Sequence, residues 1–325
     1  MTQFDAIRTG LKPALDRLNS MIRSKLSSGN ALMDHVIDTY LTTKGKQIRP
    51  IIVLLCGRLA GNSDADESLL SAAAAVELLH NASLIHDDVV DESKLRRNKP
   101  TINAVWDNHI AVLVGDFFVS TSLQQAIATG DVRIIEEIGR LGKLLSLGEI
   151  DQIYNAREHT LTEEGYFRII DFKTASLFVA CARVGCYAAG ADAETVELLS
   201  RAMRNLGLCF QIRDDIFDYF TSDKVGKPTG NDLREGKITL PLLHALSTAP
   251  DEALRREMLA LVRQPELTDA RIASLVAFAC ENGGIEYAYE RMHALRDEAA
   301  RILAPFGSRA ADIIALFDYI IARDF

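Results

Sequence analysis

At 325 residues, with 48% hydrophobic and 25% charged side chains, the chain has the makeup of a globular protein with ample material for a core. A net charge of -9, with Lys and Arg scattered rather than blocked, argues against nucleic acid as a partner. The 5 cysteines are odd in number and form no CxxC, which argues against a disulfide framework or zinc site and for a reducing compartment. The opening MTQFDAIRTG has no apolar signal-peptide core, and no run reaches ~18 apolar residues. A cytoplasmic protein without a transmembrane helix is expected, with any membrane contact peripheral.

Helical periodicity runs through the chain. Residues 4–26 place Phe4, Ile7, Leu11, Leu15, Leu18, Ile22 and Leu26 at spacings of three and four, which predicts one long helix. A second is expected over 31–41. KGKQIRP, 44–50, is a short basic turn, and IIVLLC after it, 51–56, reads as a buried helix because no second strand candidate is near. Residues 67–91 are rich in Ala and Leu on most sides and predict a deep helix, and Asn98 and Pro100 close the segment beyond it. Further helices are expected over 105–128, 131–155, 162–189 (with Thr162 as N-cap ahead of Glu163 and Glu164) and 193–219. A polar loop, 221–237, holds three glycines and Pro228. The remainder, 239–325, reads as shorter helices between Pro241, Pro250, Pro265 and Pro305. No repeat or linker divides the chain, so a single all-α domain, 1–325, of a dozen or so helices is expected.

The stretch NASLIHDDVVDESKLRRNKPT, 81–101, carries the first sign of chemistry. On a helix, Asp87 and Asp91 lie one turn apart on nearly one face, with Asp88 beside them. Unpaired carboxylates this close repel and raise one another's pKa. A hard divalent cation such as Mg²⁺, shared with substrate phosphates, would offset that. Arg96 and Arg97 add planar, permanently charged donors suited to phosphate. Taken alone, the stretch reads equally as a solvated acidic helix end. Asp214, Asp215 and Asp218 repeat the DDxxD spacing at the C-terminal end of another apolar helix, where the macrodipole disfavours carboxylates unless a cation compensates. Two such triplets could hold divalent ions with a diphosphate between them, an arrangement suited to breaking a C–O bond. Basic residues fall near both: Lys46 and Arg49 in the basic turn, His80 about two turns before Asp87, Lys173 with Thr174 in mid-helix, and Lys227 and Lys237 in the polar loop. Each alone also reads as a surface or snorkelling charge. As a set they point to a shared anion.

The segments GKQIRP, HNASLIHDDVVDESKLRRNKPT, VGDFF, FKTASL, FQIRDDIFDY and VGKPTGNDLREGKITLPLL, in this order over residues 45–243, resemble the trans-isoprenyl diphosphate synthases of the polyprenyl synthetase family, its long-chain members in particular. The two DDxxD stretches resemble its first and second aspartate-rich motifs. Asn98 stands where the family usually has Gly, and Asn also tolerates a left-handed backbone. The resemblance implies an all-α bundle of the isoprenoid synthase type with a central active-site cavity. It implies Mg²⁺, up to three ions, bound by Asp87, Asp88, Asp91, Asp214 and Asp215 with Asp218 nearby. Arg96, Lys173 and Lys237 would hold an allylic diphosphate beside Thr174 and Gln211, with Lys227 from the same loop. Lys46, Arg49, His80 and Arg97 would hold isopentenyl diphosphate. The aspartates and Lys173 would serve catalysis: ionisation of the allylic diphosphate, attack by the isopentenyl double bond, and loss of a proton to the departing diphosphate. A homodimer, and transfer of product to a membrane enzyme, are implied as well.

Product length can be argued physically. The residues before Asp87, namely Ser83, Ala82, Leu79, Leu78, Val76 and Ala75, include no aromatic floor for an apolar channel. Bulky residues there give short products in the family, so a product longer than C20 is expected, with Phe117 and Phe118 as candidates to close the channel. A short-chain synthase (C15–C20) is the alternative. A terpene cyclase of the same fold, or a non-catalytic partner subunit, fits two intact triplets and the basic set less well. From another class, Glu77-x-x-His80 and Glu290-x-x-His293 match the ligand pattern of di-iron helical bundles, but that reading leaves both triplets unexplained.

Overall fold

The computed structural model describes residues 2–42, 45–63, 66–158, 162–220, 230–264 and 267–323. Its helices are, in chain order, α1 (Gln3–Gly10), α2 (Lys12–Lys25), α3 (Ala31–Leu41), α4 (Ile48–Leu59), α5 (Glu67–Val90), α6 (Ile102–Val105), α7 (Asn108–Ala128), α8 (Val132–Glu158), α9 (Glu163–Ile170), α10 (Ser176–Ala188), α11 (Ala193–Phe217), α12 (Asn231–Arg234), α13 (Leu240–Thr248), α14 (Glu252–Val262), α15 (Asp269–Glu281), α16 (Gly284–Leu303) and α17 (Ala311–Ala322). The all-α expectation holds.

Three expected helices are broken, each for a local reason. The helix over 4–26 restarts after Leu11, because Pro13 lacks an amide and is tolerated only in a first turn. The helix over 105–128 begins properly at Asn108, where the Asp107 carboxylate accepts the Ile110 amide as an N-cap. The helix over 162–189 is interrupted by a π-helical turn, Asp171–Ala175, which carries Lys173 and Thr174. Such turns inside helices are frequent at functional sites. The segment after α5 is a hairpin that the sequence did not announce. β1 (Leu95–Arg96) pairs antiparallel with β2 (Lys99–Pro100) through Arg97 and Asn98, both left-handed at φ 52 and φ 60. That is the two-residue turn that demands positive φ at both positions, which Asn98 tolerates easily and Arg97 less so.

The chain contacts divide into two compact units: Met1–Lys143 with Leu177–Ser200 and Phe306–Ile313, and Leu144–Ser176 with Arg201–Pro305 and Ile314–Phe325. In the first, α5 is the central element, packed on α7, α4 and α2, with Leu69, Leu70 and the run Ala72–Val76 fully buried. Each such Leu or Val contributes roughly 1.5–3 kcal/mol on burial. In the second, α13 packs on α16, α15 and α9 around Leu240, Leu242, Leu275 and Met292.

Helices α5 and α7 are long and apolar enough to cross a membrane, although neither is an unbroken apolar run. In α5, 72% of the apolar window is buried within the protein, so core packing accounts for its composition. In α7 only 44% is buried, and Val112, Leu113, Leu123 and Ile127 are exposed. The cysteines are free; Cys56, Cys181, Cys186 and Cys209 are buried, with burial pushing their thiol pKa values up.

Candidate active site

In the first unit the site lies where α5 ends. Asp87 is half-buried, Asp88 buried, and Asp91 is an exposed C-cap. Asp88 accepts the Arg96 guanidinium at 2.9 and 3.0 Å from Nε and 2.8 Å from Nη2. Such a fork fixes both partners, so the middle aspartate of the triplet orients an arginine. Arg97 follows in the hairpin turn, its guanidinium lying against Gly45, where a built Cβ would fall 2.7 Å from Nη1. The turn 45–47 thereby comes up to the hairpin. His80 is buried, and burial, followed by the charges of Arg49, Arg97 and Arg96, holds its pKa well below the usual imidazole range. It is therefore a neutral ring among three guanidinium groups, able to donate one hydrogen bond to an anion. Lys46 is exposed, and the Arg49 guanidinium lies over the Phe178 ring at 5.7 Å.

Two further residues belong here. Burial raises the pKa of Glu77, and Arg49 and a hydrogen bond from Asn81 pull it back, so Glu77 serves as a counter-charge to Arg49. Tyr40 donates to Asn81 Oδ1 at 2.9 Å. A cavity of ≈ 190 Å³ is walled by Tyr40, Leu84, Asp88, Arg96, Arg97 and Trp106, among others. Upstream on α5, Leu79 and Ala82 are buried, while Ser83 is half-buried with its hydroxyl donated to the His80 carbonyl at 2.9 Å.

In the second unit a hydrogen-bonded chain converges on Asp215. The Thr174 hydroxyl donates to Gln211 Oε1 at 2.7 Å, Gln211 Nε2 donates to Asp215 Oδ1 at 2.7 Å, and the Tyr166 hydroxyl donates to Asp215 Oδ2 at 2.6 Å. Burial pushes the Asp215 carboxyl up to about 7; Tyr166 and Gln211 pull it down, and Asp214 and Asp218 push it up again. Asp232 is raised well above the usual range by burial and by repulsion from Asp215 and Asp218. Asp218 accepts the Asn231 and Asp232 amides, one on each oxygen, at 2.9 and 3.0 Å, and so fixes the start of α12. Asp214 is held by Arg323, whose guanidinium lies 4.4 Å from the Phe210 ring centre and 5.3 Å from that of Phe217.

The π turn presents Lys173 to Glu149 Oε2 at 2.5 Å and Gln152 Oε1 at 3.2 Å. It comes so close to α8 that a Cβ on Gly148 would stand 2.7 Å from the Lys173 amide nitrogen. Lys237 pairs with Glu235 at 2.5 Å. A cavity of ≈ 180 Å³ is lined by Tyr166, Lys173, Thr174, Gln211, Asp215, Asp232 and Lys237, with others. Five residues anticipated from sequence thus share one cavity with two that were not, Tyr166 and Asp232. Lys227 lies outside the described residues.

Among the described residues no three His, Cys, Asp or Glu side chains converge as they stand on a metal position. The donor set nonetheless fits a hard divalent cation. It is all carboxylate oxygen, and burial with like charge disfavours ionisation of Asp215, Asp218 and Asp232, a penalty that a cation would relieve. Of the residues missed in sequence, Asp232 sat in a segment already singled out but without a role. Glu149 and Gln152 share a helix face at i, i+3, a signal that was there to be read. Arg323, two residues from the end, carried none. Glu290 and His293, half of the di-iron pattern, are both exposed.

An all-α chain that ends two apolar helices in aspartate triplets, each in a unit whose cavity is walled by arginine or lysine, is built to transfer groups carried on diphosphate. Comparison with known proteins narrows this. The Polyprenyl synthetase family matches over residues 30–278. Octaprenyl diphosphate synthase of Escherichia coli (strain K12) is 39% identical over 230 residues, 70% of this chain and 71% of that one. A decaprenyl diphosphate synthase structure from Rhodobacter capsulatus aligns with TM-score 0.89 at 34% identity, covering 99% of this chain and 100% of that one. A polyprenyl synthase from Caulobacter crescentus CB15, complexed with calcium and isoprenyl diphosphate, aligns with TM-score 0.88 at 31% identity over 98% of each. The chain belongs to the polyprenyl synthetase family. It is a prenyltransferase that performs trans-prenyl chain elongation.

Proposed function

We propose that the chain condenses isopentenyl diphosphate with an allylic diphosphate, repeatedly, to a linear trans-polyprenyl diphosphate longer than C20, with Mg²⁺ as its metal. The observation that carries this reading is the cavity in which Tyr166, Lys173, Thr174, Gln211, Asp215, Asp232 and Lys237 meet, because it combines buried carboxylate with lysine at the scale of a diphosphate. Residues 1–325 act as one catalytic domain. The family match supports this, since residues 30–278 run through both units.

Asp87, Asp91, Asp214 and Asp215 would hold up to three ions, while Asp88 acts through Arg96 and Asp218 through the backbone of α12. Bound there, Mg²⁺ stabilises the charge that develops on a departing diphosphate. Arg96, Lys173 and Lys237 donate to the allylic diphosphate, with Thr174 and Gln211 beside it. Arg49, His80 and Arg97, with Lys46, hold isopentenyl diphosphate, and the neutral His80 adds a hydrogen bond without further crowding of charge. The proton lost after the new C–C bond forms leaves with the diphosphate.

Support for a long product comes from α5, whose residues upstream of Asp87 include no Phe, Tyr or Trp, and from the relatives' names. Phe118, fully buried and edge-on to Tyr40 at 5.7 Å between ring centres, is a better candidate for a floor than the half-buried Phe117. The apolar side chains that α7 exposes support a homodimer. A cytoplasmic enzyme that passes so apolar a product to a membrane enzyme would work peripherally at the membrane.

The test is an incubation with radiolabelled isopentenyl diphosphate, farnesyl diphosphate and Mg²⁺, with products dephosphorylated and sized. Products that stop at C15–C20 would overturn the long-chain reading. Ala82 is fully buried, so a larger residue there costs packing. Ser83→Phe, at a half-buried position, is the cleaner probe and should shorten the product. An unchanged distribution counts against the channel.

A further inference from the structure

We infer that His86 is a positioning residue, keyed into α7 by Gly115, that sets where Asp87 projects. The inference rests on the proposal that Asp87 holds metal. The His86 ring lies against α7 with Nε2 3.2 Å from the Val112 carbonyl oxygen, so that nitrogen carries a hydrogen and donates it. The same nitrogen is 3.5 Å from Asp116 Oδ1. A Cβ built on Gly115 would stand 2.1 Å from His86 Nε2, 2.4 Å from Cδ2 and 2.9 Å from Cε1. The ring therefore fills the space that any other residue at 115 would take. Gly115 is buried within a helix, where glycine is otherwise disfavoured by about 1 kcal/mol, so the close approach accounts for its presence.

A second link ties the same two helices further back: Ser122 Oγ donates to the Ala75 carbonyl at 2.7 Å. Residues 75, 79, 82 and 86 follow spacings of four, three and four, so they share the face of α5 that meets α7. The two links fix α5 on α7 in translation and rotation. Beyond Asp87, the Asp88 carboxylate is fixed to Arg96 and its carbonyl accepts from Asn103 Nδ2 at 3.1 Å. Successive residues project about 100° apart on a helix. Asp87 thus stands between two neighbours fastened on different sides, His86 to α7 and Asp88 to the hairpin.

The leverage is large. A carboxylate about 5–6 Å from the helix axis moves about 1 Å for a 10° rotation. Displacement on that scale costs as much as a hundredfold in rate.

Three single variants, a double variant and a control test this. His86→Ala is expected to raise the Mg²⁺ concentration for half-maximal turnover roughly tenfold and to lower kcat roughly tenfold to hundredfold, with KM for isopentenyl diphosphate within about twofold. His86→Gln, whose amide can still donate to the Val112 carbonyl, should recover most of the loss. Gly115→Ala, which expels the ring, should match His86→Ala, and the double variant should be no worse than either. Mn²⁺ affinity, measured by electron paramagnetic resonance with inorganic diphosphate present, should weaken in step without reference to turnover. Should Gly115→Ala not fold, the two His86 variants decide. A half-saturating Mg²⁺ concentration and Mn²⁺ affinity unmoved in His86→Ala, or losses that multiply in the double variant, overturn the inference. Asp87→Asn controls the underlying reading: loss of Mg²⁺-dependent turnover supports it, and retained turnover overturns both.

Discussion

Asp215→Asn should stabilise the metal-free protein while abolishing its activity. Asp215 is 5% exposed, and its carboxyl is pushed up to about 7 from an ordinary 3.8, chiefly by burial. For an acid whose folded pKa lies above its unfolded one, the native state holds the proton more tightly. The stability this contributes is therefore complete below about pH 4 and is lost as pH rises through 7. A gap of about three units at 1.36 kcal/mol each sets an upper value of about 4 kcal/mol. Repulsion from Asp214 and Asp218 is shared with those groups, so on the order of 2–3 kcal/mol belongs to Asp215 itself.

An asparagine carries no charge and can still accept from the Tyr166 hydroxyl. Gln211 would turn its amide, with the Thr174 hydroxyl then accepting. The assay is thermal unfolding by circular dichroism in chelator, from pH 4 to 8.5, for both proteins. Each kcal/mol moves Tm by about 2–4 °C in a domain of 150–250 residues and less in a longer chain. The variant should therefore melt several degrees above the wild type at pH 8.5, about half as far above it at pH 5.5, and close to it at pH 4. Mg²⁺ should raise the wild-type Tm at pH 8.5 more than that of the variant. A variant that melts below the wild type at pH 8.5 would refute the reasoning, because the buried charge would then not be a cost.

Gly148→Ala should hurt although alanine is the better helix former by about 0.8–1 kcal/mol. The added carbon meets the Lys173 amide nitrogen at 2.7 Å and Cα at 3.0 Å, backbone atoms that cannot rotate away, and overpacking of this kind costs about 1–3 kcal/mol. A fall in kcat/KM for the allylic substrate of roughly tenfold or more, with a lowered Tm, is expected, and a more stable, fully active variant would sink the idea. Tyr166→Phe removes the hydrogen bond that lowers the Asp215 pKa. The acid limb of the kcat/KM profile should move to higher pH by about one unit, the equivalent of a charged hydrogen bond of ~1.5 kcal/mol. A limb that stays in place would separate Tyr166 from the chemistry.

Much of this was legible in the sequence, for identifiable reasons. Helices α5 and α11 carry long periodic apolar text, and their ends are marked by acidic triplets that a random surface would not repeat. The breaks inside predicted helices were harder. Pro13 lies inside an apolar period that continues on both sides of it, and the π turn at Asp171–Ala175 has no composition of its own. At that turn the backbone of Lys173 comes close to a glycine of α8, a contact between residues distant in sequence. The hairpin at residues 95–100 was missed because two residues per strand give no alternation to detect. Glu149, Tyr166 and Arg323 were missed because each acts through a partner distant in sequence, and no periodicity connects Glu149 with Lys173 or Arg323 with Asp214.

What spacing could not convey is that the two triplets are chemically unlike. Both read DDxxD, yet in the first the middle carboxylate, Asp88, is saturated by the fork of Arg96, while in the second the middle one, Asp215, is buried under two neutral donors and kept near pKa 7. The last position differs too. Asp91 is an exposed helix cap, whereas Asp218 accepts one backbone amide on each oxygen. A buried carboxylate satisfied by tyrosine and glutamine, as Asp215 is, is poised to lose its proton when a cation arrives. Metal uptake at the second triplet should therefore release a proton near neutrality. Proton release measured by isothermal titration calorimetry in buffers of different ionisation enthalpy, on wild type and Asp215→Asn, tests this. Equal release from both proteins would mean that the second triplet is already ionised and that its burial is offset by something other than the metal.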